Sequence, residues 1–215
     1  MSESQDRIKK AHGLEGVPDR IDSYYGEWAA SYDEDLRTTD YRGPHEIGEL
    51  FDAMAGDHPG AIGAGSVVLD AGCGTGLVGS VLARRGVTVI DGFDLSENMV
   101  AEARKTGIYR SLTARVDMNR GLVEYADDSY DVAVCCGVFT LGHVPPTGVQ
   151  GLLRVTKPGG LVLMSTFSKY LAGSDFVEYV QRQADDGALK VVERRRDVPY
   201  TAEGPADYWA FEVLR

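Results

Sequence analysis

The stretch Val67-Val68-Leu69-Asp70-Ala71-Gly72-Cys73-Gly74-Thr75-Gly76 decides which fold the chain is expected to adopt. An aliphatic run ends in an acid and continues into glycines at alternate positions, just before a helix-like segment. Glycine leaves the backbone bare where a ligand must touch it, and the first turn of a helix presents unpaired N–H groups. The stretch therefore predicts a strand, a ligand-binding turn and a helix, with the ligand at the carboxyl end of the first strand of an open α/β sheet.

Beyond this turn, short β-branched runs alternate with helix-length periodic stretches, which is typical of a parallel sheet with crossover helices. Strands are predicted at Val67–Asp70, Val87–Phe93, Leu112–Val116, Asp131–Cys135 and Gly160–Thr166. Helices are predicted at Leu77–Arg85, Glu97–Lys105, Gly148–Thr156 and Phe176–Gln183, with a helix-ending turn at Lys157-Pro158-Gly159-Gly160. Two later runs, Lys190–Arg195 and Tyr208–Leu214, are expected to form a closing antiparallel pair.

The N-terminal part of the chain has helical patterns instead. Ile21, Tyr24, Tyr25 and Trp28 recur at helical spacing, and the glycine-rich residues 55–66 predict a loop that leads into the first strand. A length of 215 residues suits one domain. We therefore expect residues 1–60 to form a helical cap and residues 61–215 to form the core of the same domain.

Composition limits the partners. The formal net charge of −11, from 33 acidic and 22 basic residues, disfavours nucleic acid, because phosphate contacts need clustered Lys and Arg. No apolar run approaches the roughly 18 to 20 residues of a membrane span, and the N-terminus lacks a signal-peptide core, so we expect a cytoplasmic protein with no membrane partner. Cys73, Cys135 and Cys136 are too few and too close to predicted strands for a disulfide framework or a zinc site, and no metal is expected.

The glycine motif by itself is ambiguous. Gly74-Thr75-Gly76-Leu77-Val78-Gly79 also satisfies the dinucleotide pattern G-x-G-x-x-G, with Asp94 about twenty residues on. Asp70 favours a different ligand, because a carboxylate before the turn repels a pyrophosphate but suits a cofactor that carries ammonium and sulfonium charges. The sequence therefore favours S-adenosylmethionine, bound over the bare backbone of Gly72, Gly74 and Gly76.

Two further acids follow predicted strands. Asp94 ends the second strand, where a carboxylate can accept hydrogen bonds from both ribose hydroxyls of the cofactor. Asp91 competes for this role, but its place inside the strand indicates a solvated or edge residue. At the end of the third strand, Asp117 is expected to accept from the adenine amino group, and Met118 to pack on the ring.

These residues carry a resemblance to a known family. The runs LDAGCGTG and FDLSENMVAEA, the stretch from the fourth strand through VTKPGG, and the earlier YYGEWAASYDEDL resemble class I S-adenosylmethionine-dependent methyltransferases, especially the ubiquinone-methylase-like and Williams-Beuren-region methyltransferase-like groups. The resemblance covers about residues 20–170. It implies an α/β, doubly wound, seven-stranded mostly parallel sheet with an antiparallel last strand, and S-adenosyl-L-homocysteine as product. It also implies cofactor contacts by Tyr24, Trp28, Tyr32, Cys73, Leu95, Met99, Cys135 and Cys136.

The acceptor is less well defined than the cofactor. His143 is the histidine placed after a core strand, so it is the candidate base if the acceptor must lose a proton; the alternative is that it orders its loop or caps the next helix. The sequence Cys135-Cys136-Gly137-Val138 lacks the Pro-Pro-aromatic motif of base methylases, which also argues against a nucleic acid target. We expect a small-molecule acceptor between the cap, the His143 loop and the segment 166–174. A protein side chain as acceptor, a non-catalytic sensor or partner subunit, and a nucleotide-cofactor oxidoreductase remain as alternatives.

Overall fold

A seven-stranded sheet organises the chain, whose computed structural model describes residues 7, 10, 17–57 and 62–215. Its helices are α1 (Pro18–Trp28), α2 (Tyr32–Thr38), α3 (Gly43–Asp57), α4 (Leu77–Arg84), α5 (Glu97–Lys105), α6 (Val149–Val155), α7 (Ser168–Gly173) and α8 (Phe176–Asp185). Its strands are β1 (Val67–Ala71), β2 (Val89–Asp94), β3 (Ser111–Ala114), β4 (Tyr130–Phe139), β5 (Thr156–Phe167), β6 (Leu189–Thr201) and β7 (Gly204–Val213). Short 3₁₀ turns lie at Met118–Arg120 and Pro146–Gly148.

The strand order is β3-β2-β1-β4-β5-β7-β6. The pairs from β3 to β5 are parallel, whereas β7 runs antiparallel to both β5 and β6. The predicted doubly wound, mostly parallel α/β sheet with a closing antiparallel pair is confirmed. Because the order reverses between β1 and β4, the carboxyl ends of these strands flank the crevice in which such sheets bind ligands.

The fourth strand is longer than its sequence pattern predicts. It continues past Cys135 to Phe139, and its register with β5 shifts between these two residues. Gly137 makes the irregularity feasible with a φ of +78°, and its N–H donates to Ser165 Oγ at 3.0 Å. The predicted turn at residues 157–160 also interrupts the register, although the surrounding residues count as one strand. These irregularities arise from tertiary pairing, which local periodicity does not reveal.

The buried hydrophobic side chains of the described residues pack in two clusters. The main core contains the sheet and also Ile47, Leu50, Phe51 and Met54 of α3, so this helix packs with the core. Trp28 and Leu36 form a separate small cluster with neighbouring tyrosines of α1 and α2. We call α1 and α2 the aromatic cap. The expected boundary between residues 60 and 61 falls outside the described residues, and no described helix is long and apolar enough to cross a bilayer.

Asp91 is not the solvated edge residue that the sequence indicated. It lies in β2 between β1 and β3 and is only 6% exposed. Its carboxylate accepts hydrogen bonds from Arg110 Nε at 2.9 Å, from Arg110 Nη2 at 2.5 Å and from the Tyr130 hydroxyl at 3.0 Å. The buried carboxylate is tolerated because it is paired, and it stabilises the sheet at a distance from the ligand site.

Asp91→Ala is expected to lower the free energy of unfolding by about 1–3 kcal/mol, because it leaves the buried Tyr130 hydroxyl without its acceptor. Urea unfolding measures this loss. Asp127→Ala is the matched control, since Asp127 pairs with Arg154 but is 70% exposed, and it should cost less than about 1 kcal/mol. Equal losses in the two variants would contradict the role given to Asp91.

Candidate active site

The glycine turn after β1 is held by backbone contacts to β2. Cys73 N–H donates to the Phe93 carbonyl at 2.8 Å, and Gly74 N–H donates to Asp94 Oδ2 at 2.9 Å. Gly72 has a φ of +70°, and a Cβ added there would lie 2.4 Å from Val138 Cγ2. Gly74 has a φ of +54°, but a Cβ there would meet no atom within 4 Å. The turn therefore presents bare backbone towards open space at Gly74, as the sequence predicted, whereas Val138 occupies the space beside Gly72.

A pocket lies over this turn and brings together most of the predicted residues. From the predicted set it is lined by Trp28, Tyr32, Gly72, Gly74, Asp94, Leu95, Met99, Asp117, Met118, Cys136 and His143. These residues come from the aromatic cap and from the carboxyl ends of β1, β2, β3 and β4, together with the segments that follow them. Their convergence is a consequence of the parallel sheet, because it delivers successive strand ends to one edge.

Asp94 is a buried acceptor at the end of β2. Besides receiving Gly74 N–H, it accepts from Ser96 N–H through Oδ1 at 2.9 Å. Burial raises the pKa of Asp94, and the two backbone donors oppose this rise by stabilising the carboxylate. The carboxylate thus both braces the turn and borders the pocket.

Asp70 does not line the pocket, contrary to the expectation that it faces the cofactor's positive charge. It is 1% exposed, and its Oδ2 accepts from Gly79 N–H of α4 at 3.1 Å and from the Tyr109 hydroxyl at 2.7 Å. The carboxylate therefore ties α4 and Tyr109 to β1. Burial raises the pKa of Asp70 to about 6, although the hydrogen bonds from Tyr109 and Gly79 oppose the rise.

Four other predicted contacts also lie outside the pocket lining: Tyr24, Cys73, Gly76 and Cys135. Cys135 is fully buried in the core because neighbouring strand residues point to opposite faces, and Cys136 takes the pocket side. Gly76 adjoins the Tyr109 ring, where an added Cβ would lie 3.2 Å from a ring carbon. Tyr24 turns away, and its hydroxyl donates to the Arg7 carbonyl at 2.6 Å.

Asp117 and Met118 follow β3 as expected and border the pocket. Asp117 Oδ1 accepts from both the backbone N–H and the side-chain amide of Asn119 at 2.9 Å, which fixes the 3₁₀ turn. Met118 is buried and, together with Phe93, Val116 and the predicted Met99, gives this end of the pocket an apolar wall.

The aromatic cap covers the other side of the pocket. Trp28 stacks on Tyr25 with centroids 6.0 Å apart, and Tyr32 meets Trp28 edge-on at 4.7 Å. Trp28 Nε1 donates to Asp35 Oδ2 at 2.7 Å. A further contact fastens the cap to the glycine turn, since the Thr75 hydroxyl donates to Asp33 Oδ1 at 2.5 Å.

His143 lies at the pocket and contacts the cap. Its Nδ1 is 2.8 Å from the Leu141 carbonyl, and its Nε2 is 3.0 Å from the Tyr25 hydroxyl. A carbonyl oxygen only accepts, so Nδ1 carries a proton, and in the neutral imidazole Nε2 accepts from Tyr25.

Sequence reasoning missed one wall of the pocket. Tyr200 and Thr201, at the end of β6, line it with Tyr41 and Thr140, whereas residues 166–174 do not. Arg42 N–H donates to the Tyr200 carbonyl at 2.9 Å and so joins this strand end to the start of α3. The contact links residues 158 positions apart, and no local pattern signals it.

The raised pKa of Asp70 gives a pH dependence of stability. The pKa of Asp70 in the folded protein, about 6, exceeds that of an Asp in the unfolded chain. The contribution of Asp70 to the free energy of unfolding is therefore fully present below about pH 4 and is lost as the pH rises through 6. Asp70→Asn stays neutral, so its free energy of unfolding should rise relative to the parent by on the order of 1–3 kcal/mol between pH 4 and 7. Urea unfolding between pH 4 and 7 measures this difference, with the exposed Asp127→Asn as control. A difference between Asp70→Asn and the parent that stays constant across this range would contradict the effect.

Comparisons with known proteins show which proteins this chain is similar to. Residues 69–164 match the family model described as a methyltransferase domain. The chain is 31% identical over 167 residues to Methyltransferase-like protein 27 of Homo sapiens, across 77% of this chain and 65% of that protein. It is 36% identical over 132 residues to Ubiquinone biosynthesis O-methyltransferase of Pseudomonas fluorescens SBW25, across 55% of this chain and 53% of that protein. The chain thus spans 53% to 65% of the length of these relatives.

A solved structure agrees at the level of the fold. The TehB-like SAM-dependent methyltransferase of Corynebacterium glutamicum superposes with a TM-score of 0.63 at 21% identity, over 87% of this chain and 97% of that one. The matched domain runs from β1 to β5 and so includes the glycine turn and the strand-order reversal. The chain thus resembles the class I S-adenosylmethionine-dependent methyltransferases in its matched domain and shares the fold of the solved methyltransferase.

Proposed function

We propose that the protein transfers a methyl group from S-adenosylmethionine to a small-molecule acceptor, by in-line displacement. The observation that carries the proposal is the convergence on one pocket of the bare Gly72 and Gly74 backbone, the Asp94 carboxylate and the Asp117–Met118 pair. A nucleotide-like ligand needs these features together: close backbone approach, acceptors for hydroxyl and amino groups, and an apolar wall for a ring.

The residues present fit the cofactor. Asp94 would accept from the ribose hydroxyls, Asp117 from the adenine amino group, and Met118 with Phe93 would pack on the adenine ring. Leu95 and Met99 would extend the apolar wall, and the open side of Gly74 leaves room for close approach to the turn. We call this part of the pocket the adenosyl half, and the part lined by Tyr25, Tyr41, Thr140, His143 and Tyr200 the acceptor half.

When bound, the cofactor supplies an electrophilic methyl group on a sulfonium. The chain's own contribution is to align an acceptor with it, since alignment alone can supply several kcal/mol of rate acceleration. The rings of Trp28 and Tyr32 line the pocket with apolar surface, and aromatic faces also tolerate a nearby cation. His143 would take the proton that an acceptor hydroxyl loses.

A small acceptor suits a pocket that the aromatic cap encloses. Ubiquinone biosynthesis O-methyltransferase, by its name, serves the synthesis of a small molecule, which supports the same class here. The net charge of −11 makes a nucleic acid target unfavourable. We further propose that the aromatic cap and the core, which includes α3 rather than leaving it in the cap, act as one domain; a cytoplasmic location stays a prediction.

Cofactor binding is tested by calorimetry with S-adenosyl-L-homocysteine, with nicotinamide dinucleotide as the competing ligand. Asp94→Ala is expected to weaken binding of S-adenosyl-L-homocysteine by on the order of 1–3 kcal/mol, because charged hydrogen bonds are lost. Asp127→Ala, an exposed acid away from the pocket, should bind like the parent protein. Binding that is unchanged in Asp94→Ala, or tighter binding of the dinucleotide, would reject the proposal.

A further inference from the structure

Both ring nitrogens of His143 already have partners. Nδ1 donates to the Leu141 carbonyl, and the Nε2 lone pair receives the Tyr25 hydroxyl at 3.0 Å. An acceptor molecule in the pocket can therefore contact Nε2 only if it displaces Tyr25. Otherwise its proton must reach Nε2 through the Tyr25 hydroxyl. The Tyr25 oxygen keeps lone pairs with which it can accept a second hydrogen bond while it donates to His143.

The contacts of Tyr25 favour proton transfer through its hydroxyl over displacement of the side chain. Its ring stacks on Trp28 and meets Tyr32 and His143 edge-on, with centroids 6.2 and 5.7 Å away, so displacing it would break several contacts. Burial, followed by the nearby charge of Asp94, raises the pKa of Tyr25. The group therefore stays a hydroxyl that both donates and accepts, and it borders the pocket.

We propose that Tyr25 relays a proton from the acceptor's hydroxyl group to His143, and that the acceptor is an uncharged hydroxyl compound with a ring or apolar body. This inference rests on the proposed function. In the step, the acceptor O–H bond breaks and its electron pair stays on the acceptor oxygen. The proton passes to the Tyr25 oxygen as the Tyr25 proton passes to Nε2, which leaves an imidazolium and a nucleophilic oxygen.

The composition of the acceptor half supports the uncharged class. Within residues 17–57 and 62–215, no Lys, Arg or Glu side chain lines the pocket. Its two acids, Asp94 and Asp117, lie in the adenosyl half, at the ends of β2 and β3. A phosphate or carboxylate in the acceptor half would find no Lys or Arg among these described residues, and burying an unpaired charge is costly. The rings of Tyr41 and Tyr200, 5.2 Å apart and edge-on, offer an apolar wall instead.

Nuclear magnetic resonance of the ¹⁵N-labelled imidazole tests the contact without any acceptor. In the complex with S-adenosyl-L-homocysteine, His143 should be protonated on Nδ1 alone. Tyr25→Phe should shift the Nε2 resonance downfield, because that nitrogen loses its donor. Tyr24→Phe is the matched control: it removes a hydroxyl from the same helix, one that donates to the Arg7 carbonyl away from the pocket, and should leave Nε2 unchanged. A proton on Nε2, or an unmoved resonance in Tyr25→Phe, overturns the relay.

Methyl transfer to two probes of similar shape shows whether Tyr25 transfers a proton or only holds the aromatic cap in place. 2-Naphthol keeps its proton at pH 7.5, whereas 2-naphthalenethiol is already largely ionised and needs no base. Tyr25→Phe should slow transfer to the naphthol about tenfold or more and transfer to the thiol less than about twofold. Equal losses with both probes would make Tyr25 a structural latch and overturn the proposal.

Binding of S-adenosyl-L-homocysteine separates failure of the relay from failure of the proposed function. Tyr25→Phe should bind S-adenosyl-L-homocysteine within about twofold of the parent, since the relay lies in the acceptor half. The uncharged class is tested with 6-hydroxy-2-naphthoate, which should react at least about tenfold more slowly than 2-naphthol; equal rates would reject that part. Cofactor binding that persists while the relay tests fail would leave the proposed function standing.

Discussion

Two buried carboxylates shape the glycine turn on which the rest of the site depends. Asp94 accepts a hydrogen bond from Gly74 N–H, and Asp70 accepts hydrogen bonds from Gly79 N–H of α4 and from the Tyr109 hydroxyl. Burying these acids is unfavourable, as the raised pKa values of both show. In return, the turn keeps one face bare, with its shape set before a ligand arrives. Such preorganisation lowers the entropy that binding must overcome.

The aromatic cap is fastened at the ends of three core strands. Asp33 receives the Thr75 hydroxyl after β1, the Gly26 carbonyl receives the Asn98 side chain after β2, and Tyr25 meets His143 after β4. Each contact is a single hydrogen bond of modest net strength, so the cap is held less firmly than α3, which lies in the main core. The architecture therefore places the weaker packing on the side of the pocket that the aromatic cap covers.

The sequence predicted those features that local patterns encode. The alternation of strands and helices gave the sheet, and the acids at strand ends gave Asp94 and Asp117, because parallel strands finish at one edge. Asp70 and Asp91 were placed wrongly, since their partners Tyr109 and Arg110 lie 39 and 19 residues away. The wall formed by Tyr200 was missed for the same reason. Charge and position along a strand identify an acid as special, but only tertiary contacts decide what it binds.

The distribution of charge gives the two halves of the pocket different means of selection. The chain carries a net charge of −11, yet its acceptor half is bordered by tyrosines, Thr140 and His143. Under the proposed function, the carboxylates of Asp94 and Asp117 favour a cationic ligand in the adenosyl half. Under the same proposal, selection in the acceptor half depends on shape and on a few hydrogen-bonding groups that line it, among them His143 and the tyrosine hydroxyls. A polar group that lines the pocket penalises a ligand that displaces its solvent and leaves it unpaired, so such groups discriminate between acceptors more strongly than the apolar walls do.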